Sequence, residues 1–552
     1  MSTQLSILSS MRCISFVWLS LIFLSYSSVR AQSSRELKLD YGEQGDSLQP
    51  IWAFFGYDEP NYTYQPDGKK LLSELAGLSP APVYVRCHNL LTTGDGSFAL
   101  KWGSTNAYRE DASGHPIYDW HIVDSIFDTY VQRGMRPLAE IGFMPEALST
   151  HPHPYRHHWR PGVSYDSIYT GWAYPPSDYD KWGELVYQWV RHCVERYGEK
   201  EVSTWLWEVW NEPNISYWKG TREEYYSLYD HAANGVKRAL PAAQVGGPAT
   251  TGPGWDKAAD WLSSFLVHCA LGKNYATGGK GAPLDFISYH AKGSPRLVNG
   301  HVRMNMAPQL KDAARGFAIV SGSAFKDLPI YITECDPEGC AACGMSTNPE
   351  NAYRNGLMYS SYTAASFARI WDLAEKYHVH LKAAMSWSFE FEGQKLFDGF
   401  RDMATNGIDK PVLNVFRMYG MMRGRRVLLT GPDSSALAVA GDRQLAVMVW
   451  NYTDDDLPGE AVSVNLRLEH LPVGKARLEQ YRIDEMHSNA YAVWKKMGAP
   501  PSVQGDARRK LEEAGKLVML PDPERVRISK DGETNLSILL PAHAVSLLVW
   551  KW

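Results

Sequence analysis

From about residue 50 to residue 390 the chain alternates short apolar or aromatic runs with longer stretches in which apolar residues recur at helical spacing, the pattern of repeated βα units. Eight runs read as strands: 51–57 (IWAFFGY), 82–86 (PVYVR), 136–143 (RPLAEIGF), 203–210 (STWLWEVW), 243–247 (AQVGG), 285–290 (DFISYH), 329–334 (PIYITE) and 383–389 (AAMSWSF). Between them lie amphipathic segments such as DYDKWGELVYQWVRHCVERYG and TREEYYSLYDHAANGVKRAL. Eight such repeats predict an α/β fold, a (β/α)8 TIM barrel over 50–425 with enlarged loops. A doubly wound sheet is the alternative, but no glycine-rich phosphate turn follows the first strand.

After VLNVFRMYGMM (412–422) the pattern becomes strands alone, separated by turn residues, which predicts a C-terminal β-sandwich over 426–552. The segment 32–49 is expected to join that sandwich. Asp506 to Lys516 reads as a short helix or long loop inserted there.

Ahead of these domains, Ile14 to Leu24 is an eleven-residue apolar run preceded by Arg12 and followed by a small-residue stretch ending at Ala31. It is too short to span a bilayer and has the form of a signal peptide, residues 1–31, so the mature chain is expected to be exported without an integral membrane segment. Met11 is an alternative start. An exported compartment permits disulfides, and Cys335, Cys340 and Cys343 lie within nine residues, where a loop-tightening disulfide is expected. Cys193 and Cys269, in helical patterns, read as free buried thiols.

Composition narrows the partner. The 552 residues carry a net charge of −5, which leaves no excess positive charge to neutralise phosphates, so no nucleic acid is expected. Aromatic residues make up 12% of the chain, and flat amphipathic rings suit both large cores and the apolar faces of sugars. Of these rings Trp189, Trp205 and Phe286 sit in core patterns, whereas Trp210, Tyr289 and Trp387 fall near strand ends and are expected on the rim. The histidine-rich run HPHPYRHHW (151–159) is broken by two prolines, which forbids helical metal-ligand spacing; neither a metal nor another cofactor is expected.

Two carboxylates terminate apolar strands three strands apart: Glu212 in WNEP and Glu334 in ITE. Opposed carboxylates on one barrel rim are what glycosidic cleavage needs, because one protonates the leaving oxygen while the other attacks the anomeric carbon. Here the sequence resembles glycoside hydrolase family 39, the family of β-xylosidases and α-L-iduronidases. The resemblance is carried by WEVWNEPN (207–214) and supported by VRCHNLLTTGDG, RPLAEIGFMPEALS, DFISYHAKG, YITECD, NGIDKPVLNVF and HSNAYAVWKKMGAP.

The resemblance implies that Glu212 is the general acid/base and Glu334 the nucleophile of a retaining hydrolysis, that Asn211 bonds the sugar 2-hydroxyl, and that Arg86 keeps the nucleophile ionised. His88, Asn89, Tyr289, His290 and Trp387 are candidates for binding the terminal sugar. Lys292 matches in position a carboxylate-binding lysine of the iduronidase branch, or is a solvated rim charge. The chain departs from the family pattern at Cys87, where a Thr is common, and at the cysteine-rich loop after Glu334. An arabinofuranosidase-like or endo-acting enzyme of the same fold, and a non-catalytic carbohydrate-binding barrel, are the alternatives. The oligomeric state is not legible.

Overall fold

A computed structural model describes residues 34–430, 435–521 and 524–552. The expected signal peptide lies outside the described residues. Among them no helix is long and apolar enough to cross a membrane.

The eight expected strands all form: β1 (Phe54–Tyr57), β2 (Tyr84–Cys87), β3 (Arg136–Ile141), β4 (Leu206–Val209), β5 (Gln244–Thr250), β6 (Phe286–Lys292), β7 (Ile330–Asp336) and β8 (Leu381–Ala384). They pair in parallel in sequential order from β1 to β8. A parallel bridge between Phe55 and Ser386, just past β8, links the two edges into a ring. Each strand is followed by a helix: α1 (Pro66–Ala76), α2 (His121–Val131), α3 (Tyr179–Tyr197), α4 (Arg222–Ala239), α5 (Asp256–Leu271), α6 (Ala307–Ser321), α7 (Leu357–Tyr377) and α8 (Pro411–Met421).

The helices form where the sequence supplies an apolar stripe and a start signal. In α3 the buried residues Trp182, Leu185, Val186, Trp189, Val190 and Cys193 recur at spacings of three and four, and Asp178 caps the first turn by accepting from the Lys181 N–H. A Thr221–Glu224 capping box opens α4. Burying such stripes against the strands leaves the C-terminal strand ends and their loops free to carry chemistry.

Most of the remaining strands among the described residues belong to one large sheet. Ten of them, including Ser34–Ser47, are hydrogen-bonded into it. Ser34–Ser47 sits inside it, antiparallel to Arg425–Thr430 and parallel to Val462–Glu469. Strands from distant parts of the sheet contribute Leu37, Val447, Leu466, Leu478, Leu540 and Trp550 to one apolar core, so the sheet curls around its own side chains. Its opposite face, with Met448, Trp450 and Leu547, joins the core of the barrel. Two helices, Ala490–Lys496 and Gly505–Gly515, cap a barrel loop through Phe397, Ile408, Trp494 and Leu511.

Cys340 and Cys343 form a disulfide, while Cys87, Cys193, Cys269 and Cys335 are free and buried.

Candidate active site

Strand alternation aims one set of side chains into the mouth of the barrel. His290 and Lys292 share one face of β6, while Glu334 and Asp336 share one face of β7. Glu212 follows β4, where the backbone adopts positive φ at Trp210 (72°) and Glu212 (44°). A hydrogen bond of 2.8 Å from the Glu212 N–H to the Ala249 carbonyl helps to hold this uncommon conformation.

The two glutamates meet across a cavity of about 540 Å³ that His88, Lys292 and Trp387 also line. An oxygen of Glu212, an oxygen of Glu334 and a ring nitrogen of His290 lie within 4.8 Å of one another. His290 Nδ1 is 2.9 Å from Glu212 Oε1 and 3.8 Å from Glu334 Oε1.

Two cations and a histidine ring converge on Glu334. Lys292 Nζ stands 2.8 Å from its Oε2, Arg86 Nη1 is 3.4 Å from its Oε1, and His88 Nε2 is 3.7 Å from Oε1. Burial by itself would raise the Glu334 carboxyl, but His290, Lys292, His88 and Arg86 outweigh it and hold the group well below the usual carboxylate range. Glu334 is thus kept as a carboxylate although only 5% exposed.

Arg86 is fully buried and serves as a hub. Its guanidinium pairs with Glu140 at 2.7 Å and Glu208 at 2.5 Å, and donates to Asn211 Oδ1 at 3.0 Å. That last bond turns the Asn211 amide nitrogen away from Arg86. Trp387 packs on the same guanidinium, with its ring centroid 4.9 Å from Arg86 Cζ and 4.4 Å from the His88 ring. His88 lies between Glu140 (2.6 Å from Nδ1) and Asp58 (3.2 Å from Nε2), and burial followed by the charge of Arg86 pushes its pKa well below the ordinary histidine value.

The donor set Glu212, His290 and Glu334 is one that could ligate a divalent cation. Glu334 already faces the ammonium of Lys292 and the guanidinium of Arg86, which disfavours further positive charge there.

Residues 36–531 match the family described as glycosyl hydrolases family 39. The chain belongs to that family. It is therefore an O-glycosyl hydrolase with a carbohydrate substrate. Among curated relatives it is 29% identical over 498 residues to a β-xylosidase of Geobacillus stearothermophilus, covering 87% of this chain and 88% of the relative. It is 28% identical over 407 residues to an α-L-iduronidase of Mus musculus, covering 66% and 61% respectively. Among solved structures, a family 39 enzyme from Xanthomonas axonopodis pv. citri superposes with a TM-score of 0.74 at 22% identity, over 96% of this chain and 99% of that one.

Of the residues expected at the site of this family 39 chain, Glu212, Glu334, His88, Lys292 and Trp387 line the cavity, while Arg86, Asn211 and His290 contact the glutamates or Arg86 directly. Tyr289 is a correction. It is fully buried behind the strand, donating to the Ala313 carbonyl and packing against Gly316 of α6, because alternation turns it away from His290. Trp210, expected on the rim, is also fully buried and donates to the Tyr217 carbonyl. Asn89 braces the rim by donating to the Asp58 carbonyl and accepting from Thr92, and it does not line the cavity.

Sequence reasoning missed Glu140 and Glu208, which pair with Arg86, and the cavity-lining Asp58, Lys101, Tyr165 and Tyr169, the two tyrosines coming from the long loop after β3. Glu140 and Glu208 stand inside apolar strands, which is their one legible signal. A carboxylate there must meet a buried cation, and both meet Arg86.

Proposed function

We propose that the chain is an exo-acting, retaining glycosidase that removes a terminal sugar by double displacement. One observation supports this most directly: oxygens of Glu212 and Glu334 approach within 4.8 Å. That approach fits a nucleophile and an acid/base that act on the same anomeric carbon, the close pairing of carboxyl groups used in retaining hydrolysis.

In the first step Glu212 gives its proton to the glycosidic oxygen while Glu334 attacks the anomeric carbon, so the leaving alcohol departs and a glycosyl ester forms. Acylal formation removes the negative charge of Glu334. Glu212, now a carboxylate, takes a proton from water, whose oxygen attacks the anomeric carbon and expels Glu334. His290 orients Glu212, and Arg86 with Lys292 keeps Glu334 ionised before the attack.

β-Xylosidase-like action is the leading assignment, because similarity to β-xylosidases runs along 87% of the chain. α-L-Iduronidase-like action is the second, favoured by the Lys292 ammonium on the cavity wall. Export follows from the signal-peptide reading of residues 1–31, and the curled terminal sheet is taken as a sandwich domain that supports the barrel. A panel of 4-nitrophenyl β-xyloside, α-arabinoside and α-iduronide, with the first-formed anomer followed by NMR, tests the assignment. Retained configuration and turnover of one terminal glycoside are expected. An inverted product, or turnover of polymer alone, overturns it.

A further inference from the structure

The cavity has a closed end and an open end. Trp255, after β5, lines the open side and is 50% exposed, whereas Asp58, after β1, and Lys101, in the loop after β2, line it with side chains only 4% and 3% exposed. β1 and β5 are diametrically opposed in an eight-strand ring. A sugar held between Glu212 and Glu334 therefore points one end toward Asp58 and Lys101 and the other toward solvent.

Lys101 Nζ and Asp58 Oδ2 form an ion pair at 2.5 Å, and the other Asp58 oxygen lies 3.2 Å from His88 Nε2. The pair is held rigidly. The Lys101 N–H donates to Glu59 Oε1 at 2.6 Å, the residue sits at a φ of 61°, and its ammonium lies 5.1 Å from the centre of the Tyr165 ring, another cavity residue. Burying a lysine and an aspartate at the end of a ligand cavity is expensive, and a loop staple could be placed on the surface for less. An ammonium beside a carboxylate presents a donor and an acceptor together, which is the chemistry that grips a hydroxyl group able to accept from one and donate to the other.

We propose that Asp58 and Lys101 form a specificity-determining hydroxyl clamp at the closed end of the cavity, which binds the C3 or C4 hydroxyl of an unsubstituted non-reducing terminal sugar and blocks further chain. The proposal rests on the glycosidase reading above and adds which end of the sugar is read, and by what.

The test compares kcat/KM for 4-nitrophenyl β-xyloside with its 3-deoxy and 4-deoxy analogues, or for the iduronide series if the panel selects that sugar. Wild-type enzyme is expected to lose about 10- to 100-fold on one deoxy analogue, as for a hydrogen bond to a charged group. Lys101→Met and Asp58→Asn are expected to lose a similar factor on the parent substrate, chiefly through KM, and to distinguish parent from deoxy analogue by less than about threefold. Asp58→Asn is nearly isosteric and keeps the test alive if Lys101→Met does not fold. A wild-type enzyme that turns over the parent but loses nothing on deoxygenation overturns the clamp. So do variants that lose equally on parent and analogue, the signature of a structural pair. A wild-type chain inactive on every glycoside overturns the glycosidase reading itself, and the clamp with it.

Discussion

Lys292 Nζ sits 2.8 Å from Glu334, the proposed nucleophile, and the same ammonium is 2.9 Å from Asp336. The lysine is neither solvated nor waiting for a partner. It is shared between two carboxylates of β7, and any carboxylate of a substrate would have to compete with Asp336 for it.

The sign of its electrostatic effect is fixed by that geometry. Burial raises Glu334 while His290, Lys292, His88 and Arg86 lower it, with the net shift downward. Replacing Lys292 with Met removes one lowering charge, so the acid limb of the kcat/KM profile is expected to move to higher pH. A pH profile of the variant with an unshifted acid limb would contradict the proposed role of Glu334.

The two glutamates should separate kinetically. Glu334→Ala is expected to lose on the order of 10⁴-fold or more in kcat, with azide restoring turnover and giving a glycosyl azide of inverted configuration. Glu212→Ala should lose about 10²- to 10⁴-fold on poor leaving groups and far less in glycosylation by activated aryl glycosides. Mass spectrometry should then show the glycosyl-enzyme accumulating at Glu334.

A methyl group at Gly56 tests Trp387 from behind. The Cβ of Gly56→Ala would overlap the Trp387 ring and lie 3.0 Å from Met385 Sδ. Trp387 cannot retreat without leaving Arg86 and His88. The substitution is expected to destabilise by about 1–3 kcal/mol through overpacking, and to reduce kcat/KM about tenfold or more, since small misplacements near the reacting groups are amplified. Calorimetry and kinetics on the same preparation check both effects.

The disulfide borders the same cavity, because Gly339 and Cys340 line it. Its loop is also held by Arg354, which is fully buried, donates to the carbonyls of Cys340, Ala341 and Cys343, and pairs with Glu338 at 2.6 Å. Chain-entropy arguments assign so short a disulfide loop about 2 kcal/mol. Breaking one member of a buried ion pair costs about 3–5 kcal/mol. Arg354→Met is therefore expected to lower Tm more than Cys340→Ser with Cys343→Ser does. Thermal melts of the two variants would show the reverse order if the disulfide alone held the loop.

Much of the barrel was legible because parallel strands buried on both faces read as apolar runs, and each lies between amphipathic helices. Glu212 and Glu334 stood out because they end such runs. The direction of a side chain was harder. Tyr289 and His290 are neighbours in sequence, and only the period-two alternation, applied from Lys292 backward, separates the ring in the core from the ring in the site. Trp210 follows a strand whose backbone turns to positive φ, which no local pattern announces. Asp58 and Lys101 come from different loops, so their pairing exists only once β1 and β2 lie side by side. Which terminal strands hydrogen-bond to which is likewise a property of the folded chain.

The strand Ser34–Ser47 lies between Arg425–Thr430 and Val462–Glu469. Its partners are made nearly four hundred residues after it, so during synthesis it must wait, unpaired, until the whole barrel has emerged. The terminal sheet is accordingly a late-assembling clasp, and a truncation that removes Ser34–Ser47 would leave two edges open in its middle, a ready template for association between chains.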